Sequence, residues 1–201
     1  MKHMKLYAAA LLILLPCLAA IPEVDKGKAV GLPNAPVKIE IFSDFTCPHC
    51  KVLHETELPQ LMKDYVVNGK VYIVDRAFPL TGPGHEHSRE AFAYAVAAAR
   101  IGKYPVVADV LYAQQATWAI NGNVWGAVSS VLNPADQKKV QALSKDPSVL
   151  AEVEAEYQEA VSSGLNETPT LVVTVGSKRT VLPHATNYYF LKSMIDEYLP
   201  K

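Results

Sequence analysis

The sequence predicts an α/β fold in the order strand–helix–strand, a block of helices, then strand–strand–helix. Short apolar runs bounded by turn residues predict the strands, and an alanine-rich stretch with repeated helix-capping pairs predicts the helical block. The 201 residues, of which 50% are hydrophobic and 19% are charged, have the composition of a globular protein and exclude long disordered tracts.

The N-terminal segment has the pattern of a cleavable export signal. Lys2 and Lys5 precede an apolar run over residues 6–15, which small residues follow. The run is shorter than the about 20 apolar residues that span a bilayer. We therefore expect an exported protein, periplasmic or extracytoplasmic, with residues 1–20 as its signal peptide. An N-terminal core helix is the alternative.

Charge excludes one class of partner. The 19 basic side chains nearly balance the 20 acidic ones, and removal of Lys2 and Lys5 with the signal would leave 17 against 20. Nucleic-acid-binding proteins usually carry an excess of basic residues. We expect no nucleic-acid partner.

The cysteines indicate redox chemistry. Removal of the signal would discard Cys17, and a lipid anchor there is disfavoured because Pro16 stands where lipoprotein signals have a small residue. Cys47 and Cys50 would remain as a single Cys-x-x-Cys pair. A bridge that closes so short a loop constrains the unfolded chain very little, so we expect a redox-active disulfide rather than a structural one.

The cysteine pair is expected at the start of a helix. An extended arm over residues 21–36, rich in glycine and proline, leads into the main domain at residues 37–201, whose first strand ends just before Cys47. Pro48 suits the first helical turn, and a strand over residues 71–74 follows the helix. Two strands joined through a helix predict a parallel pair.

A helical insertion is expected at about residues 85–164. A run from Ser88 stops at Gly102, another starts at Pro105, and Asn-Pro and Asp-Pro pairs cap two more, which makes about four helices. The predicted elements after the insertion are strands over residues 171–175 and 180–182, joined by a short turn, and a helix from about Asn187 to Tyr198.

These motifs resemble those of the DsbA-like exported thiol:disulfide oxidoreductases, and the resemblance covers nearly the whole mature chain. It implies a thioredoxin fold with an inserted all-helical subdomain. The matching segments are Asn34-Ala35-Pro36-Val37, Phe42-Ser43-Asp44-Phe45-Thr46, Cys47-Pro48-His49-Cys50 and Gly164-Leu165-Asn166-Glu167-Thr168-Pro169-Thr170.

The resemblance also implies roles for the site residues. Cys47 would be the exposed nucleophile that forms a mixed disulfide, and Cys50 the less exposed resolving thiol. The Thr168–Pro169 bond would be cis and face the cysteines, with the Thr168 backbone presented to an extended substrate and its hydroxyl near the sulfurs. Thr168 and Pro169 are thus expected to bind substrate.

The position of the pair is consistent with this chemistry. The N–H groups and the dipole of a helix N-terminus favour a thiolate at Cys47, Pro48 fixes the backbone, and His49 can supply a proton or a positive charge. A stabilised thiolate stabilises the reduced form, and DsbA is the known example in which this makes the disulfide a strong oxidant. Such chemistry requires no metal and no cofactor.

One position departs from the family pattern. Many relatives carry a buried acid six residues before the first cysteine, and this acid helps proton transfer from the resolving thiol. This chain has Ile41 at that position. Glu40 and Asp44 are close in sequence, but strand alternation sends Glu40 to the face opposite Ile41, so neither is a simple substitute. We expect proton transfer to and from Cys50 to use water or another carboxylate.

A metal site is an alternative use of some of these residues. His85-Glu86-His87, together with His54 and the cysteine pair, offers enough ligands for zinc or copper. The spacing is not typical of a zinc site, however, and solvated residues at the start of a helix are the preferred interpretation.

Aromatic and acidic residues of the helical block are expected to have structural roles. The aromatic residues could line a substrate groove but are more typical of a core: they are Tyr104, Tyr112, Trp118 and Trp125. The glutamates expected on a solvated helix face are Glu152, Glu154, Glu156 and Glu159.

The sequence therefore predicts an exported dithiol oxidase that uses Cys47 and Cys50. Its expected substrates are reduced or misoxidised exported polypeptides, and a membrane or soluble redox partner is expected to reset the cysteine pair. A disulfide isomerase or reductase of the same fold is the alternative within this chemistry. A metal-binding carrier that uses the cysteine pair and nearby histidines is the alternative from a different class.

Overall fold

A computed structural model describes Asp25, residues 27–184 and residues 187–199 of the chain. The expected export signal and Cys17 lie outside the described residues. Within those residues, every helix is too short or too polar to cross a bilayer.

In the described part of the chain, five strands form one mixed sheet in the order β1-β3-β2-β4-β5. β2 and β3 are parallel, which confirms the pairing predicted from their helical connection. β4 is antiparallel to β5, to which a short turn joins it, and also to β2. β1 is a short edge strand, antiparallel to β3. The strands are β1 (Ala29–Val30), β2 (Val37–Ser43), β3 (Val71–Ala77), β4 (Thr170–Val175) and β5 (Lys178–Pro183).

The connection from β2 to β3 is helical throughout but irregular. Pro59 lies in the first turn of its third segment and has no N–H to donate, which accounts for the wider π-helical turn just before it. The second π-helical turn has no comparable explanation in the sequence. The segments are α1 (Pro48–Val52), a π-helical turn (Leu53–Glu57), α2 (Leu58–Leu61) and a second π-helical turn (Met62–Val66).

Six helices, rather than about four, lie between β3 and β4. The run that begins near Pro105 is divided into two helices, of which the first ends at Ala113, and Gly122, whose φ of 73° is left-handed, ends the second. Asn123 then caps a further short helix by accepting a hydrogen bond from the Gly126 N–H. The helices are α3 (Ser88–Ala99), α4 (Tyr104–Ala113), α5 (Gln115–Asn121), α6 (Val124–Ser129), α7 (Pro134–Leu143) and α8 (Pro147–Ser162).

The two faces of the sheet are covered by different helices. Residues of β2 that share a face with Ile41 pack against Leu53 and, from the last helix α9 (Tyr188–Tyr198), Leu191. Phe42 points the other way and packs with Ala160 of α8. The helices between β3 and β4 have a core of their own, which includes Cys47 and Cys50, so the cysteine pair lies where that core meets the sheet.

The core interpretation of the aromatic residues is confirmed for three of them. Tyr104, Tyr112 and Trp118 are buried, and the Trp118 indole N–H donates to the Leu111 carbonyl. Trp125 is partly buried, with its ring centroid 5.3 Å from that of Tyr94.

The prediction of a solvated glutamate face on α8 is wrong for two of its four residues. Glu152 and Glu156 are buried, and Glu154 and Glu159 are exposed. Glu156 accepts hydrogen bonds from the Lys28 ammonium at 2.6 Å and from the Ala77 N–H at 2.8 Å. Neighbouring cations therefore compensate the burial of this charge, which spacing along one helix could not reveal.

A buried network of ion pairs joins the N-terminal arm to the rest of the fold. Arg76 of β3 pairs with Asp25 at 2.7 Å, with Glu40 at 2.7 Å and with Glu156 at 3.2 Å. Lys28 lies 2.6 Å from both Glu152 and Glu156. The network thus connects the arm, two central strands and α8.

Candidate active site

The cysteine pair lies at the junction between the end of β2 and the start of the first helix. Cys47 is the N-cap residue of α1, with an extended backbone (φ −78°, ψ 122°), and Pro48 occupies the first turn. Cys50 lies one turn inside the helix, as its position in the sequence predicts. Both cysteines are free thiols, so the structure represents the reduced pair.

Cys47 is the more accessible thiol, but it is not openly exposed. Its relative exposure is 6%, against 1% for Cys50. The order agrees with the roles implied by the resemblance, whereas the expectation of an exposed nucleophile is wrong for this reduced state. Pro48 and His49, which separate the two cysteines, are exposed.

The two thiols differ strongly in acidity. The Cys50 thiol, as a hydrogen-bond donor, makes the largest contribution to lowering the pKa of Cys47 to about 5, against the effect of burial. Thr168 and the backbone N–H groups of Cys50 and His49 lower it further. Burial, followed by the bond to Cys47, raises the pKa of Cys50 well above its ordinary value. At neutral pH the pair is therefore a Cys47 thiolate and a Cys50 thiol.

The position of the His49 side chain does not indicate a direct role in stabilising the thiolate. Its imidazole is exposed, with the ring centroid 6.4 Å from that of His184, which in turn pairs with Glu167 at 2.6 Å. The contribution of this residue that is evident in the structure comes from its backbone N–H. A contribution from the imidazole charge stays a prediction.

The loop at Thr168 lies directly against the nucleophile. The Thr168–Pro169 bond is cis, which confirms the expectation. The Cys47 sulfur lies 3.3 Å from the Thr168 carbonyl oxygen, to which it donates when it is protonated, and Thr168 itself is buried. Its hydroxyl lowers the pKa of both sulfurs, although within the described residues it makes no hydrogen bond of good geometry.

Asp44 holds the turn between β2 and α1. Its carboxylate is fully buried and accepts hydrogen bonds from the Thr46 N–H at 2.8 Å, the Leu80 N–H at 2.9 Å and the Ser88 hydroxyl at 2.5 Å. It also lies 2.8 Å from Nδ1 of His85. The Asp44 backbone N–H donates to the Cys50 sulfur at 3.4 Å, so this residue orients the resolving thiol through its main chain.

A comparison with known families agrees with this geometry. The family model described as thioredoxin matches residues 23–195, which is most of the chain. The chain belongs to the thioredoxin family.

The fold of this thioredoxin-family chain is DsbA-like. Wolbachia pipientis alpha-DsbA1 superposes with a TM-score of 0.69 at 18% identity, over 90% of this chain and 93% of that one. BdbD from Bacillus subtilis gives a TM-score of 0.67 at 23% identity, over 86% and 93% of the two chains. Pseudomonas aeruginosa DsbA2 gives 0.65 at 25% identity, over 86% and 94%.

Curated relatives in sequence match over shorter segments. A Bacillus cereus protein named Probable disulfide bond formation protein D is 40% identical over 55 residues, which are 27% of this chain and 26% of that protein. Disulfide bond formation protein D of Bacillus subtilis is 34% identical over 50 residues, 25% of this chain and 22% of that protein. The chain thus spans about a quarter of the length of these relatives.

Gln115 contributes to the thioredoxin-family site in a way that the sequence analysis missed. Its side-chain amide, buried on α5, donates to the carbonyls of Phe45 at 2.7 Å and Cys47 at 3.0 Å. It therefore ties the helical insertion to the turn that carries the nucleophile. A glutamine in a helix has no local pattern that would indicate such a contact.

The residues considered for a metal site do not converge. His54 pairs with Asp109 at 2.8 Å, and His85 pairs with Asp44. Across the described parts of the chain, no group of three or more His, Cys, Asp or Glu side chains is placed to hold a metal ion. His85 and His87 are partly buried, so the expectation of solvated residues is confirmed only for Glu86, which is exposed.

Proposed function

We propose that this protein is a thiol:disulfide oxidoreductase that acts as an exported dithiol oxidase. The observation that carries the proposal is the unequal acidity of the two thiols, with the pKa of Cys47 lowered to about 5 and that of Cys50 raised. A thiolate is the species that attacks a disulfide, and a low-pKa thiolate is also a good leaving group. The proposed reaction uses no metal and no cofactor.

The proposed reaction proceeds through a mixed disulfide. A substrate thiolate attacks the Cys47 sulfur of the oxidised pair, the bond between Cys47 and Cys50 breaks, and Cys50 leaves as a thiolate that takes up a proton. A second substrate thiolate then attacks the substrate sulfur of the mixed disulfide and expels Cys47 as a thiolate. The substrate loses two electrons and forms a disulfide, and the cysteine pair gains them.

The electrostatics favour the oxidising direction. Every interaction that lowers the Cys47 pKa stabilises the reduced protein and has little effect on the disulfide. A more stable reduced form raises the reduction potential, so the pair gives up its disulfide more readily. This argument favours an oxidase over a reductase of the same fold.

We assign site residues on the same basis. Cys47 is the nucleophile, Cys50 the resolving thiol, and Pro48 and His49 tune the pair. Thr168 and Pro169 form the neighbouring loop that contacts substrate, which the 3.3 Å approach of the Thr168 carbonyl to Cys47 supports.

The proposed substrates are reduced or misoxidised polypeptides outside the cytoplasm, and a membrane or soluble redox partner resets the pair. The names of the relatives, which refer to disulfide bond formation, support this choice of substrate. The lysines and apolar run of the N-terminal segment support export.

The reduction potential of the cysteine pair tests the proposal. We expect a value nearer to that of DsbA, about −120 mV, than to that of thioredoxin, about −270 mV. The oxidised protein should also transfer its disulfide to a reduced peptide. A potential near that of thioredoxin would favour a reductase. Stoichiometric metal in the reduced protein, without disulfide transfer, would favour the metal-binding carrier.

A further inference from the structure

The Cys50 thiol needs a proton-transfer partner that its own strand and turn do not supply. The preceding strand carries Ile41, and the Asp44 carboxylate already accepts hydrogen bonds from Thr46, Leu80 and Ser88. Asp44 meets Cys50 only through its backbone N–H. An acid on another element is required if proton transfer uses a carboxylate.

Asp75 is such an acid, on the strand next to Ile41. The parallel register of β2 and β3 pairs Ile41 directly with Asp75. Residues two apart in a strand share a face, so Asp75 lies on the same face as Val71 and Ile73. Those two residues pack in the same cluster as Leu53, which directly follows the helix that carries Cys50.

A small cavity connects Asp75 with the resolving thiol. Its volume is about 10 Å³, and Cys50, Asp75, Ser43, Tyr104 and Tyr112 are among the residues that line it. This volume is at the lower limit for a cavity that holds one water molecule, and the lining offers several polar groups to bind it. A single water can therefore relay a proton between the Cys50 thiol and the Asp75 carboxylate.

Asp75 also faces a second, larger space. A cleft of about 280 Å³ is lined by Asp75, His54 and Tyr104, and also by Met62, which is 40% exposed. Asp75 thus lies between the small cavity and a cleft with an exposed rim. A proton that reaches Asp75 from Cys50 has a route to solvent.

We propose that Asp75 is the proton-transfer group for Cys50, exchanging the thiol proton through a water molecule in the small cavity. When a mixed disulfide on Cys47 is resolved, the Asp75 carboxylate takes the Cys50 proton, and the Cys50 thiolate attacks the Cys47 sulfur and expels the partner as a thiolate. In the reverse direction Asp75 returns the proton to Cys50. The inference rests on the thiol–disulfide exchange proposed above, but not on its direction.

The environment of Asp75 suits a group that gains and loses a proton near neutral pH. Asp75 is partly buried, and the loss of solvation raises its pKa to about 6, while electrostatic interactions with His54 and Lys28 lower it. The negative charge of Glu156 raises it, and the Tyr104 hydroxyl lowers it. The other ionisable groups that line the two spaces are Cys50, Tyr112 and Asp109.

Stopped-flow reaction of the reduced protein with an aromatic disulfide, dithiobis(nitrobenzoate), tests the proposal. The first thionitrobenzoate released marks attack by Cys47, and the second marks resolution of the mixed disulfide by Cys50. In the wild type we expect the second rate to rise through an inflection near pH 6. Asp75→Asn should lower this rate by about 100-fold and remove the inflection, with the first release unchanged.

Two variants serve as controls. Asp75→Glu keeps a carboxylate and should retain most of the rate and the inflection, and Glu90→Gln, which removes an exposed carboxylate on α3, should behave as the wild type. An unchanged second rate and pH profile in Asp75→Asn would overturn the inference. A wild-type pH profile of the second rate without the inflection would also overturn the inference. This measurement tests the inference even if Asp75→Asn does not fold. Absence of both releases in the wild type would contradict the proposed function instead.

Discussion

The Cys47 sulfur lies 3.3 Å from the carbonyl oxygen of Thr168, a residue 121 positions later in the chain. Strand pairing accounts for this contact. The antiparallel register of β2 and β4 places Phe42 opposite Thr170, so the residues after β2 and those before β4 meet at one edge of the sheet. The proposed nucleophile and the proposed substrate loop are therefore neighbours because of the sheet.

The acidity of Cys47 gives a direct prediction of pH dependence. Alkylation of the folded, reduced protein by iodoacetamide should follow a titration with a midpoint near pH 5, because only the thiolate reacts. Cys50→Ala removes the hydrogen bond that contributes most to the low pKa, so its midpoint should rise. A wild-type midpoint near that of an unfolded control, about 8.5, would show that the site does not stabilise the thiolate.

The roles of the two cysteines can be separated by trapping. Cys50→Ala should accumulate mixed disulfides with a disulfide-bonded peptide, because the Cys47 thiolate attacks the peptide disulfide, expels one peptide thiolate, and no Cys50 thiol remains to resolve the adduct. Cys47→Ala should trap nothing and should not exchange. Non-reducing electrophoresis followed by mass spectrometry of the adducts measures both outcomes, and the reverse pattern would exchange the two assignments.

A substitution of His49 separates the effect of its side-chain charge on the pKa of Cys47 from the effect of its backbone N–H. His49→Ala keeps the backbone N–H, and the Cys50 thiol is untouched, so the pKa of Cys47 should rise but stay below 9.0, its ordinary value. The reduction potential should fall in parallel, because the reduced state loses part of its stabilisation. Ultraviolet titration of the thiolate measures the pKa. An unchanged pKa and potential would remove the imidazole from the mechanism.

The buried ion-pair network predicts that two glutamates of one helix make very different contributions to the free energy of unfolding. Glu156→Gln leaves Arg76 and Lys28 with fewer partners and should lower the free energy of unfolding by about 3 kcal/mol. Glu154→Gln, the matched change at an exposed position, should change it by less than about 1 kcal/mol. Urea denaturation of both variants measures the difference. Equal effects would show that the network does not stabilise the fold.

The sequence by itself determined where β2 to β5 lie along the chain, the position of the cysteine pair at a helix start and the starts of the capped helices. These features depend on local patterns: apolar alternation in β2, Pro48 after Cys47, and Asn133 before α7. The resemblance to a family added the cis bond at Thr168, which no local pattern indicates.

Only the tertiary structure decided which polar residues are buried and what they contact. Glu156 and Gln115 have helix positions typical of solvated residues, and they are buried because partners from distant segments satisfy them. Asp75 stands beside Ile41 because of the register between two strands. A polar group can be buried when its charge or hydrogen bonds are compensated, and those partners are set by the packing of the whole chain rather than by its neighbours in sequence.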